Sequence, residues 1–133
     1  STAVKKGSDV IAPVIPDTIA HSIAIGNPAD GFYSVQAIND SGGCAEDVSD
    51  EELVEGIKLL ASTEGIFTET AGGVTVAVTK KLIEQGKLPR DESIVICITG
   101  NGLKTLEAVM DNVEKPCVID ANIESFNAFM EKR

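Results

Sequence analysis

The sequence predicts an α/β protein built on a partial open, mainly parallel sheet flanked by helices. Three observations carry that expectation. Helix-like and strand-like stretches alternate along the chain, the pattern of a sheet wrapped by helices. The stretch from Ser93 to Thr99, SIVICIT, is a nearly unbroken apolar run rich in β-branched residues, as a strand covered on both faces requires. It runs into Thr99, Gly100, Asn101 and Gly102, and the carboxyl end of a strand is where open α/β sheets bind ligands.

Local signals set the elements in order. Residues 1–15 carry no amphipathic pattern and read as a linker-like segment, leaving 16–133 as the folded portion. Pro16 and Asp17 offer a helix start with Asp17 as its cap, and Ile19 and Ile23 give that helix one apolar face. Gly26 and Asn27 stop it, and Pro28 can open a second helix through Phe32 and Val35. Residues 44–48, CAEDV, read as a short strand. Ser49 and Glu52 have capping-box spacing ahead of an apolar stripe at Leu53, Ile57 and Leu60, and Gly65 ends that helix.

Ile66 and Phe67 are strand-like, and a further helix is expected from near Ala71 to Gln85, with Gly86 past its end. Gly72 and Gly73 in its first turn each cost ~1 kcal/mol in an exposed helix interior. Their presence calls for a close neighbour, either a packed backbone or a bound ligand. Beyond the 93–98 strand and its turn, residues 103–113 read as helix and 117–120 as extended. A last amphipathic helix carries Ile123, Phe126 and Met130 on one face.

Bulk properties exclude several functions. A net charge of −10 and a pI near 4.4 argue against a nucleic-acid partner, which needs a basic face. Cys44, Cys97 and Cys117 are an odd number at wide spacing, without the pairs a disulfide framework or zinc site uses. Cys97 is expected as a small core hydrophobe, and the chain as a cytoplasmic protein. No apolar run reaches membrane-spanning length.

Few residues invite chemistry. Thr99 either satisfies a nearby turn or helix end, or aims its hydroxyl into a ligand crevice that Gly100 and Gly102 leave open to the backbone. Glu69, in FTETAGG, stands just before a helix start, where the helix dipole favours a carboxylate. The small residues Thr70 to Gly73 leave room beside it. His21 lacks a carboxylate orienter in sequence and a second histidine for a metal. The run SDEE with Glu55 reads as a solvated helix start, and no metal site is expected.

In their order and spacing, PDTIAHSIAIGNPADG, GIFTETAGG and CITGNGLKT resemble the carboxyl-terminal part of the threonine synthase family. These are pyridoxal-phosphate (PLP) enzymes of the fold-type II, tryptophan-synthase-β-like group. The resemblance covers roughly residues 16–105 and continues more loosely to the end. It implies PLP as cofactor, with Thr99 as hydroxyl partner of the pyridine nitrogen and Glu69 near the same ring edge. Ser22 and Ile23 would pack against the cofactor, Gly100 would let the ring approach, and Asn27 and Asn101 would lie on the substrate side. Such a parent converts O-phospho-L-homoserine and water to L-threonine and phosphate.

The family's cofactor-tethering lysine lies in an amino-terminal Ser-Phe-Lys-Asp-type stretch, and its phosphate loop is separate. Neither is found in these 133 residues. The resemblance therefore implies no catalytic lysine here, no covalently held PLP, inactivity alone, and the amino-terminal half of the enzyme as partner. Self-association through uncovered apolar surface is a further expectation. Two other readings share the residues: a non-catalytic interaction module with the same fold, and part of a serine or threonine dehydratase.

Overall fold

The computed structural model describes residues 1–132. Its helices are α1 (Thr2–Lys5), α2 (Gly31–Asp40), α3 (Asp50–Glu64), α4 (Thr70–Glu84) and α5 (Ile123–Met130), with 3₁₀ turns at His21–Ile23, Gly102–Ala108 and Met110–Asn112. None of them is long and apolar enough to cross a membrane.

The frame is the antiparallel pair α3–α4, and local signals set its ends. The Glu52 amide donates to Ser49 Oγ at 3.2 Å while the Ser49 amide donates to Glu52 Oε2 at 2.7 Å, completing the expected capping box. Gly65 ends α3 at φ +68, a left-handed conformation that glycine adopts without a Cβ penalty. Leu53, Val54 and Ile57 of α3 are buried with Ala20 and Val109, and Ile19, Val48, Phe67 and Val74 pack around them. This core joins residues 19–20 and the 102–109 turn to the helix pair.

The two glycines opening α4 answer to packing. A Cβ on Gly73 would stand 2.6 Å from Ile57 Cγ1 and 2.7 Å from the Leu53 carbonyl, and one on Gly72 would stand 1.8 Å from Thr68 Oγ1. Of the two neighbours the sequence allowed, the structure supplies protein atoms from α3 and from the preceding loop.

The expected α/β architecture, a partial parallel sheet flanked by helices, is not what forms. Among the described residues the only β pairing is a single antiparallel bridge between Thr68 and Asn101. Residues 93–99 form no regular secondary structure, and among the described residues no backbone hydrogen bond joins them to another segment. A strand needs a lateral neighbour for its N–H and C=O groups. The other strand-like stretches, 44–48 and 117–120, are also without pairing. The apolar pattern encodes a side-chain preference and not the partner. In consequence Val95 is 89% exposed, and Cys97, expected in a core, is exposed as well.

Two helix expectations also change. Asp17 caps no helix; only the 3₁₀ turn at His21–Ile23 forms. The Asp50 carboxylate accepts from Thr18 Oγ1 and from the Ile19 amide, and the Val14 amide donates to the Gly26 carbonyl. These tertiary bonds hold 14–26 in an irregular path that local propensity does not encode. Residues 103–113 form 3₁₀ turns instead of an α-helix, broken at Thr105 with φ −136 and ψ 42. In α2, Val35 is buried as expected, but Phe32 is exposed and meets Tyr33 edge to face.

Candidate functional site

The entry to α4 and the turn after Thr99 are bonded to each other residue by residue. The Gly102 amide donates to the Phe67 carbonyl at 3.0 Å, and the Glu69 amide donates to the Gly100 carbonyl at 3.3 Å. Thr68 Oγ1 donates to the same Gly100 carbonyl at 3.3 Å. The Thr70 amide donates to Thr105 Oγ1 at 3.1 Å. That last bond supplies the orphan amide of the first turn of α4 with an acceptor, because the side chain of the N-cap residue Glu69 makes no capping bond.

Gly100 explains how tightly the two segments meet. Its φ is +76, and an added Cβ would stand 2.0 Å from Glu69 Oε1 and 2.3 Å from Cδ. Only glycine fits there, on both backbone and space grounds. Gly102 is equally confined, with the Phe67 ring 2.5 Å from the position of a Cβ. Asn101 turns its side chain inward on its own backbone, accepting from the Leu103 amide at 2.9 Å.

Charge at the site resides in one pair. Glu69 is 5% exposed, and Lys104 Nζ stands 2.7 Å from its Oε2. The approach is that of an ion pair without hydrogen-bond alignment, so Oε2 is left without a hydrogen-bond partner. Beside it Thr70 Oγ1 is fully buried and also has no partner among the described residues.

The structure thus brings Glu69, Gly100 and Asn101 into one cluster, with Thr99 at its edge. Thr99 is exposed, and its hydroxyl has no partner among the described residues. Ser22 and Ile23 occupy the exposed 3₁₀ turn that packs on α4. Asn27 is exposed in the following bend, and among the described residues no hydrogen bond joins it to the cluster. A cavity of about 640 Å³ lies instead between α3 and α4, lined by residues including Glu52, Glu55, Gly56, Lys80 and Lys81; none of the site residues expected from sequence borders it.

Sequence reasoning missed Lys104, Thr105 and Thr68 as members of the cluster. Lys104 lies 35 positions from its partner Glu69, far beyond the separations at which charge spacing is informative. Thr105 carried a visible signal only in being a hydroxyl residue close behind a glycine turn.

The free donor of the cluster is a neutral hydroxyl, a group able to hydrogen-bond an aromatic ring nitrogen. A free hydroxyl at Thr99 is flanked by a residue with no side chain, and the one nearby carboxylate is already engaged by Lys104. Comparison with known proteins bears on that chemistry. The family model "Pyridoxal-phosphate dependent enzyme" matches residues 1–100, a span that includes the segment read as linker-like. The threonine synthase of Methanosarcina acetivorans is 44% identical over 124 residues, covering 92% of this chain and 31% of the relative. That of Methanocaldococcus jannaschii is 43% identical over 128 residues, covering 96% and 32%. That of Halalkalibacterium halodurans is 38% identical over 112 residues, covering 84% and 32%. The chain therefore spans about a third of the length of the relatives it matches.

Proposed function

The chain belongs to the pyridoxal-phosphate dependent enzyme family, and from that membership we propose that it is the carboxyl-terminal portion of a threonine synthase. The parent converts O-phospho-L-homoserine and water to L-threonine and phosphate. Residues 16–133 would form a portion of the catalytic fold, with residues 1–15 as the segment leading into it. The observation that carries this reading is the Glu69–Gly100 cluster, which leaves the Thr99 hydroxyl free at its edge in a chain that threonine synthases match over most of its length.

Thr99 would hold the pyridine nitrogen, with Gly100 allowing the ring to approach and Glu69, Ser22 and Ile23 beside it. Asn27 and Asn101 lie on the substrate side. Bound PLP supplies an electron sink for charge developing next to the substrate's amino group. Thr99 is neutral and keeps its own proton, so its hydroxyl would donate to an unprotonated ring nitrogen, where a carboxylate would keep that nitrogen protonated. Lys104 holds the Glu69 carboxylate in an ion pair, so Glu69 is engaged away from the nitrogen. The tethering lysine is expected from the rest of the polypeptide, and the exposed run Ile94, Val95 and Ile96 supports a surface that the rest of the polypeptide covers.

The test is phosphate release with matching threonine formation from O-phospho-L-homoserine. The full-length protein is expected to carry it out with PLP, and the 133-residue chain alone is not. A full-length protein that leaves phosphohomoserine intact and deaminates threonine would contradict the reading.

A further inference from the structure

We propose that Lys104 is a positioning residue: by pairing with the buried Glu69 carboxylate it holds the Thr99–Gly102 turn on the first turn of α4, and so presents the Thr99 hydroxyl to the cofactor. The inference rests on the proposed PLP function and deepens it.

The geometry gives Lys104 that leverage. Its backbone is set by the turn it serves, since the Lys104 amide donates to the Asn101 carbonyl at 3.1 Å. Its ammonium reaches Glu69, the N-cap of α4, at 2.7 Å. The two residues at the ends of this ion pair thus belong to the two segments that must stay in register. The ends are unequal: the Lys104 side chain is 61% exposed, the Glu69 side chain 6%. A buried carboxylate without a partner is strongly unfavourable, so removing the lysine drives Glu69 toward water. Glu69 Oε1 and Cδ fill the space against Gly100, and their departure frees that residue and Thr99 beside it. The exposed end means that replacing Lys104 removes no packed apolar contact, only the partner of Glu69.

In the full-length protein, PLP binding to Lys104→Met and Lys104→Arg is measured by absorbance titration alongside amide hydrogen exchange at Gly100 and Gly102. Lys104→Met is expected to bind PLP about 10-fold more weakly, as the loss of one charge-assisted contact implies. Its two turn amides exchange faster, and the thermal midpoint falls, because the buried Glu69 carboxylate loses its partner. Lys104→Arg restores both readouts. Equal affinity and equal protection in Lys104→Met overturn the positioning role alone, as does an equal loss in Lys104→Arg. An unsubstituted protein that binds no PLP overturns the proposed function, and the positioning role with it.

Discussion

Gly56 of α3 lies directly against the Gly73 carbonyl of α4: a Cβ on Gly56 would stand 2.5 Å from that oxygen and 3.2 Å from the Ala77 amide nitrogen. The two helix backbones touch here without side chains between them. Because α4 begins at the functional cluster, this contact also sets where Glu69 and Thr70 sit.

Gly56→Ala is therefore expected to destabilise the protein by about 1–3 kcal/mol, the usual penalty for overpacking a filled interface. An equilibrium urea titration measures it. An unchanged midpoint would show that the helices can separate freely.

Gly100→Ala acts on the site more than on the core. The new methyl meets the Glu69 carboxylate and the backbone must leave φ +76, a strained conformation costing about 1–2 kcal/mol for an ordinary residue. PLP affinity of the full-length protein is expected to fall about 10-fold or more, read by absorbance titration. Gly86→Ala, at φ +69 with open space around it, carries the same backbone strain remote from the cluster and should leave that affinity unchanged.

Ser49→Ala removes one half of the capping box at α3. A loss of about 1 kcal/mol of stability is expected, with no change in PLP binding, since the hydrogen bonds of Ser49 run to Glu52 and Leu53 within α3.

Acid sensitivity is expected at the Glu46 network, remote from the site. Glu46 pairs with Lys5 and Lys87 and accepts from Gln85 Nε2. The Lys5 ammonium, then the Asp47 amide and Gln85, hold the Glu46 carboxyl well below its ordinary value of 4.5. Asp47 is lowered chiefly by Lys5, and Glu52 by the Ser49 amide and Lys81. For groups depressed in the folded state, the stabilisation is complete above the ordinary carboxylate range and is lost as pH falls through the folded values. Thermal midpoints taken from pH 7 down to pH 3 are expected to drop below about pH 4.5, and Glu46→Gln should flatten that drop. Identical profiles for the two proteins would remove the network as its cause.

How much of this was legible in the sequence depends on the range of the signal. Ser49, Glu52 and Gly65 act within one or two turns, and their helix forms between the bounds they mark. α4 likewise runs from Thr70 to Glu84 with Gly86 beyond it. Ser93–Thr99 has the composition of a core strand, yet pairing belongs to two segments and composition describes one. Asp17 looked like a cap, but Asp50 draws Thr18 and Ile19 to the start of α3 instead. At the site, Glu69 and Gly100 stood out by their small neighbours and turn chemistry. Lys104 did not, because an ion pair across 35 positions leaves no local trace.

The most direct measurement is nitrogen-15 NMR of the full-length protein loaded with PLP labelled at the ring nitrogen, compared between the unsubstituted protein and Thr99→Val. The account predicts an unprotonated, hydrogen-bonded nitrogen whose resonance moves when the hydroxyl is removed. A resonance of a protonated nitrogen, or one that Thr99→Val leaves in place, would contradict it.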